Sequence, residues 1–160
     1  MNFDAALKHI FLFEGGLVDH PRDPGGITKY GISLRAYPEL GADGIRKLTK
    51  KDAAKIYKRD YWDATQCGRL PAGLRLMVFD CAVNQGVGYA IRALQTSVSA
   101  RADGVIGPKT LAAIKATDVK RAVHRMSMNR FLRYQRNPNW KVFGEGWMSR
   151  LLSVTMYTLR

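Results

Sequence analysis

The sequence predicts a mainly helical α+β fold, with a small β-hairpin region near the N-terminus and a helical C-terminal half. Three observations predict it. Apolar residues recur at spacings of three and four through most of the chain. Residues 17–35 break that rhythm and alternate short β-prone pieces with Gly- and Pro-rich turns. No composition break or long linker follows, so the 160 residues read as one domain, long enough to bury a sizeable core.

Residues 3–14 place Phe3, Ala6, Leu7, Ile10, Phe11 and Phe13 on helical spacing. Gly15-Gly16 ends that helix, because glycine readily takes the left-handed cap conformation. Glu14 then falls in the last turn, where burial beside Phe11 and Phe13 and the negative end of the helix dipole both favour a neutral acid. Val18 is expected to pair with residues 27–32 across the turn region 21–26, as an irregular hairpin. Tyr37-Pro38 and residues 41–44 read as loop.

Thr49 as N-cap, with Asp52 three residues on, comes near the capping-box pattern for a helix through Ala53, Ile56, Tyr57 and Tyr61. The aromatic pair Tyr61-Trp62, flanked by acids, reads either as core cover or as a sugar-stacking wall. Residues 71–84 are apolar around much of their circumference, through Leu74, Met77, Val78, Cys81 and Ala82, which predicts the central buried helix. Asp80 inside it reads as a paired structural carboxylate. Asn84 and Gln85 close it, as amides that cap a neighbour or hold a sugar hydroxyl.

A further helix spans 87–99, and a turn at 102–107 leads into a short one at 108–116 with Pro108 at its first position. Asp118 caps a long helix to about 136, apolar on one side and dense in Lys and Arg on the other, stopped by Asn137-Pro138-Asn139. The last helix is expected after Gly144-Glu145-Gly146, with Trp147 and Met148 in the core or, as the alternative, touching lipid.

Lys and Arg number 26 against 13 Asp and Glu, a formal net charge of +13. That balance suits an anionic partner, whether nucleic acid, an acidic membrane face or a cell-wall polymer, or else serves solubility alone. The basic residues are spread along the chain, which argues against a flexible nucleic-acid-binding arm. The apolar runs are too short for a transmembrane helix, and Lys8 and His9 interrupt the first segment, which does not read as a signal peptide. His9, His20 and His124 lack metal-ligand spacing and no CxxC is present, so no metal or other cofactor is expected. Cys81 reads as a buried small hydrophobe, with a Cys67–Cys81 bridge as the alternative.

The chemistry concentrates between Phe13 and Ile32. Cleaving a glycosidic bond takes a neutral carboxylic acid to protonate the leaving oxygen and an ionised group on the other side. Glu14 fits the first role. Asp23, in a loop of Gly and backbone amides, fits the second, with Asp19 as the alternative. Thr28 can hold a water with Asp23 so that it attacks the anomeric carbon, which points to inversion.

Glu14-Gly15-Gly16, Asp23-Pro24-Gly25-Gly26-Ile27-Thr28-Lys29-Tyr30-Gly31-Ile32, Tyr61-Trp62-Asp63, Phe79-Asp80-Cys81-Ala82-Val83-Asn84-Gln85-Gly86, Leu94-Gln95, Asp103-Gly104-Val105-Ile106-Gly107-Pro108-Lys109-Thr110-Leu111 and Phe143-Gly144-Glu145-Gly146-Trp147 stand in this order along the chain. Together this set resembles glycoside hydrolase family 108, the peptidoglycan N-acetylmuramidases of phage endolysins and related bacterial proteins. The resemblance implies a lysozyme-like catalytic domain over residues 1–160, of which about 87–160 resembles a peptidoglycan-binding region integral to the fold. It implies that Glu14 is the catalytic acid. Similarity to the phage-type lysozymes, with their helix-end Glu, hairpin Asp and hairpin Thr, implies Asp23 and Thr28 as the water-positioning pair. Thr28 comes one residue early against that pattern, and Leu17 stands where the family usually has an aromatic.

Tyr30, Tyr61, Trp62, Asn84 and Gln85 are the expected substrate contacts. The implied activity is endolysin-type hydrolysis of the β-1,4 bond between N-acetylmuramic acid and N-acetylglucosamine. The alternatives are a lytic transglycosylase and a non-catalytic basic domain that binds cell wall or nucleic acid. The expected partners are peptidoglycan glycan strands and anionic cell-envelope components, with no nucleic acid, no stable membrane insertion and a monomeric state. The implied location is the host bacterial cytoplasm before release to the periplasm or cell wall.

Overall fold

A computed structural model describes residues 1–18 and 26–159. Helix α1 (Phe3–Ile10) is capped by Asn2, whose side chain accepts from the Ala5 amide at 2.9 Å. It ends short of the expected residue 14. The amides of Leu12 and Phe13 fold back onto the carbonyls of His9 and Ile10, and the Glu14 amide still reaches Ile10 at 3.2 Å. Glu14 therefore sits on a loosened turn beyond the helix rather than in its last turn.

Strands β1 (Leu17–Val18), β2 (Thr28–Lys29) and β3 (Ile32–Ser33) form an antiparallel sheet in that order. The expected pairing of Val18 is present, opposite Thr28, but the third strand was not expected. Tyr30 and Gly31 connect β2 to β3 with φ of 51° and 75°. Positive φ at both central residues is the turn geometry that matches strand twist. Tyr in place of the usual Asn or Asp hides that turn in the sequence.

Helix α2 (Gly41–Lys47) replaces the loop expected at 41–44. Its glycines weaken helix propensity, yet Ile45 is 0% exposed and anchors it in the core. Lys29 Nζ also donates to the Arg46 carbonyl at 2.6 Å, near the helix C-terminus. Helix α3 (Lys50–Tyr57) carries the predicted capping box of Thr49 and Asp52, then widens into a π-helical segment at Lys58–Asp63.

Helix α4 (Ala72–Gln85) is the buried centre, with Leu74, Leu76, Met77, Val78, Phe79, Cys81 and Ala82 all in the core. Helices α5 (Val87–Ser97), α6 (Pro108–Ala116), α7 (Val119–Gln135) and α8 (Trp140–Thr158) follow. Helices α1, α5, α7 and α8 pack against α4. Pro108 opens α6 and Asp118 caps α7, accepting from the Arg121 amide at 2.8 Å, both as predicted. Between α5 and α6, buried Gln95 donates to Asp103 Oδ1 at 2.7 Å and Thr110 Oγ1 at 3.1 Å, and accepts from the Gly104 amide at 2.9 Å. The Asp103–Thr110 motif thus folds onto one glutamine.

Helix α8 starts at Trp140, ahead of the three-residue Gly-Glu-Gly stretch that was expected to precede it. The Trp140 ring lies over Gly144, where a Cβ would stand 2.7 Å from it, so glycine lets the helix run on beneath the ring. Cys67 and Cys81 are free and buried, and burial pushes both thiols up to about 12. The alternative of a bridge between them is not realised. One apolar cluster runs from Ala6 to Val154. Among the described residues no helix is long and apolar enough to cross a membrane.

Candidate active site

Glu14 meets a guanidinium. Arg150 of α8 donates from Nη1 to Glu14 Oε1 at 2.9 Å and from Nε to Asp80 Oδ1 at 2.7 Å. The other oxygen of Asp80 accepts from Arg130 Nη2 at 2.6 Å. The side chains of Asp80 and Arg130 are wholly buried, whereas that of Glu14 keeps 18% exposure. Isolated charges could not be buried at this depth, but alternating acids and guanidiniums compensate one another. Burial is the largest influence and opposes the charge on Arg130 and on Arg150, but Asp80 and the other neighbours together, Cys81 and Tyr134 for Arg130 and Glu14 for Arg150, hold both guanidiniums above their ordinary range.

The network continues to the end of α4. Arg130 Nε donates to Gln85 Oε1 at 3.0 Å, its Nη2 reaches the Tyr134 hydroxyl at 3.2 Å, and that hydroxyl donates to Asn84 Oδ1 at 2.5 Å. A connected line of side chains therefore joins Glu14, α8, α4 and α7.

The sheet supplies the other wall around Glu14. A Cβ on Gly31 would stand 2.6 Å from Glu14 Oε2 and collide with the Tyr57 hydroxyl, so only glycine lets the β2–β3 turn approach this closely. Tyr57 donates to the Tyr30 carbonyl at 3.0 Å, pinning that turn. Burial, and then the nearby Glu14 charge, push the Tyr57 phenol up, which keeps it a donor. The neighbours of Glu14 are thus only partly the apolar ones expected. Phe13 lies under the Arg150 guanidinium, 5.2 Å from ring centroid to carbon, while Phe11 packs against Tyr30 and Tyr57.

Asp23 and its alternative Asp19 fall within residues 19–25, outside the described residues. Thr28 lies half-buried in the middle strand, its hydroxyl donating to the Gly26 carbonyl at 3.4 Å. Tyr30 stands at the turn beside Glu14, with Lys29 Nζ 5.6 Å from its ring centroid. Tyr61 is half-buried next to Tyr57, at 5.6 Å between centroids. Trp62 is a correction as a substrate contact. It is 5% exposed and wedged edge-on between Phe3 and Phe79, which leaves no face for a sugar. Of its two readings, core cover holds.

Asn84 and Gln85 line a polar pocket of about 220 Å³ with Arg133, Tyr134, Asn137 and Trp147. Gln85 Nε2 is buried and has no hydrogen-bond partner among the described residues. Among the described residues no group of three or more His, Cys, Asp or Glu is placed to hold a metal ion. Arg130 and Arg150 are the residues that sequence reading missed. Arg150 lies 136 positions from Glu14, and no local pattern marks it.

The family model described as Glycosyl hydrolase 108 matches residues 7–86, which carry Glu14, the sheet and Asp80. A second, described as "Predicted Peptidoglycan domain", matches residues 89–152, which carry Arg130 and Arg150. Among solved structures, SagA of Brucella abortus is similar at 36% identity and a TM-score of 0.89, over 98% of this chain and 93% of that one. No curated protein matches the chain. The ion-paired network spans both matched regions.

Proposed function

The chain belongs to the glycosyl hydrolase 108 family, and from that premise we propose that it hydrolyses the β-1,4 bond between N-acetylmuramic acid and N-acetylglucosamine, with Glu14 as general acid. Membership makes it a glycoside hydrolase that acts on peptidoglycan. The observation that best supports the role of Glu14 is how the carboxyl is held. Arg150 fixes Oε1, which leaves Oε2, on the side of the Gly31 turn, to carry the proton. When that proton passes to the glycosidic oxygen, the guanidinium faces the carboxylate left behind, and charge forms where a compensating charge is already in place.

Asp23 and Thr28 position the attacking water in this reading, while Tyr30, Tyr61, Asn84 and Gln85 contact the glycan. The two matched regions act as one catalytic unit, because the residues that orient the acid lie in both. The net charge of +13 holds a monomeric, endolysin-type enzyme near the phosphates and carboxylates of the envelope, an attraction that salt weakens.

Reducing-end analysis of digested, purified peptidoglycan tests the proposal. Hydrolysis of this bond yields reducing N-acetylmuramic acid ends. Anhydro ends would make the protein a lytic transglycosylase, and reducing N-acetylglucosamine ends would assign it the other bond.

A further inference from the structure

Helices α5 and α7 enclose a cleft of about 730 Å³ that the Glu14 network does not use. Matching faces wall it, with Tyr89, Arg92 and Thr96 on one side and Asn129, Arg133 and Arg136 on the other, each set at three- and four-residue steps. The Tyr89 hydroxyl donates to the Asn129 carbonyl at 2.8 Å and ties the walls together. The Arg133 guanidinium lies over the Tyr89 ring, 4.1 Å from its centroid, so the ring sets its plane. Arg92 is fixed as well. Its Nη1 donates to the Gly88 carbonyl at 3.1 Å, and Gly104, at φ +86°, approaches so closely that a Cβ would stand 3.1 Å from the guanidinium.

Among the described residues no carboxylate pairs with Arg92, Arg133 or Arg136. Through Arg133 and Asn137 the cleft meets the small pocket at the end of α4, where Gln85 Nε2 is buried and has no partner among the described residues.

We propose that this cleft binds the carboxylate-bearing peptide stem of peptidoglycan, an assignment that rests on the wall-hydrolase reading above. Guanidiniums held in a fixed plane suit the planar, two-oxygen geometry of a carboxylate. The interspersed amides of Asn129 and Asn137 suit a peptide backbone. A phosphate polymer or a nucleic acid is tracked by an extended cationic groove with stacking platforms along it, whereas here three cations share one short cleft with amides. A glycan held at Asn84 and Gln85 sends its stem along the cleft, within the region matched by the peptidoglycan-domain family.

The full-length Glu14→Gln protein, titrated calorimetrically, tests this. The probes are a synthetic stem pentapeptide with free carboxylates, its fully amidated analogue and a poly(glycerol phosphate). The free-acid peptide is expected to bind, and amidation, or Arg133→Gln with Arg136→Gln, to weaken binding about tenfold or more. Circular dichroism checks that the double variant folds. No binding, binding indifferent to amidation or to the double variant, or binding of the phosphate polymer alone would overturn the proposal. Cleavage of peptide-free glycan strands by the unaltered enzyme, measured in parallel, reports on the hydrolase reading separately.

Discussion

The guanidinium of Arg150 lies 2.9 Å from the Glu14 carboxyl, bridging 136 positions of sequence. Its second arm is committed to Asp80 at 2.7 Å, so the acid is oriented by a fork whose base is fixed in the core. Lysine carries the same charge but only a point of attachment, and cannot hold both carboxylates in one plane. Arg150→Lys is expected to lower kcat/KM on peptidoglycan roughly ten- to hundredfold while leaving the circular dichroism unchanged. An unaltered rate would show that the orientation of Glu14 does not depend on this fork.

Asp80 is the only carboxylate between Arg130 and Arg150 within the described residues. Asp80→Ala leaves two buried guanidiniums facing each other. Loss of one partner from a buried pair costs about 3–5 kcal/mol. At this chain length that lowers the thermal midpoint by roughly 6–20 °C. Differential scanning calorimetry measures it, and a drop within about 1 kcal/mol of nothing would mean the network contributes little to the fold.

Gly31 combines a φ of 75° with contact to Glu14 and Tyr57. Gly31→Ala must either push the turn away or displace the acid. The expected outcome is a loss of about 1–3 kcal/mol in denaturant titration together with a drop in activity. Full activity at reduced stability would place the turn outside the reacting geometry.

Which parts of this could be read from the chain follows from how local the cause is. The starts of α3, α6 and α7 were legible because their signals lie within three residues, in Thr49 with Asp52, in Pro108 and in Asp118. Helix α2 and the β2–β3 turn were hidden, since burial of Ile45 and close packing of Gly31 on Glu14 are tertiary facts that override poor local propensity. Although the helix itself ends at Ile10, Glu14 was singled out by the Gly15-Gly16 pair that follows it. Its partner was not, because Arg130 and Arg150 look like any other basic residues until Asp80, 50 and 70 positions away, comes between them. Trp62 was ambiguous for the same reason, as an aromatic beside acids carries no mark of which way it turns.

His9 packs between Phe13 and Tyr157, with ring centroids at 5.6 and 5.1 Å. Burial lowers its pKa below the ordinary 6.5, the Asp80 charge opposing and Arg150 adding to the shift. The unfolded chain then takes up a proton that the folded chain refuses. This contribution to stability is full above pH 6.5 and is lost as pH falls through the lowered folded value. Urea midpoints at about pH 7.5 and about pH 5.5 are expected to differ in that direction, and His9→Gln to flatten the difference. An equal slope in the variant would assign the pH dependence to other groups.

The proton donor itself is tested most directly by running native protein and Glu14→Gln side by side in zymograms and turbidity assays on purified peptidoglycan, with circular dichroism on both. The near-isosteric amide keeps the contact to Arg150 but has no proton to give. Lysis is expected to fall by roughly a hundredfold or more with the fold intact. Clearing at the native rate by Glu14→Gln would contradict the assignment and place the acid elsewhere.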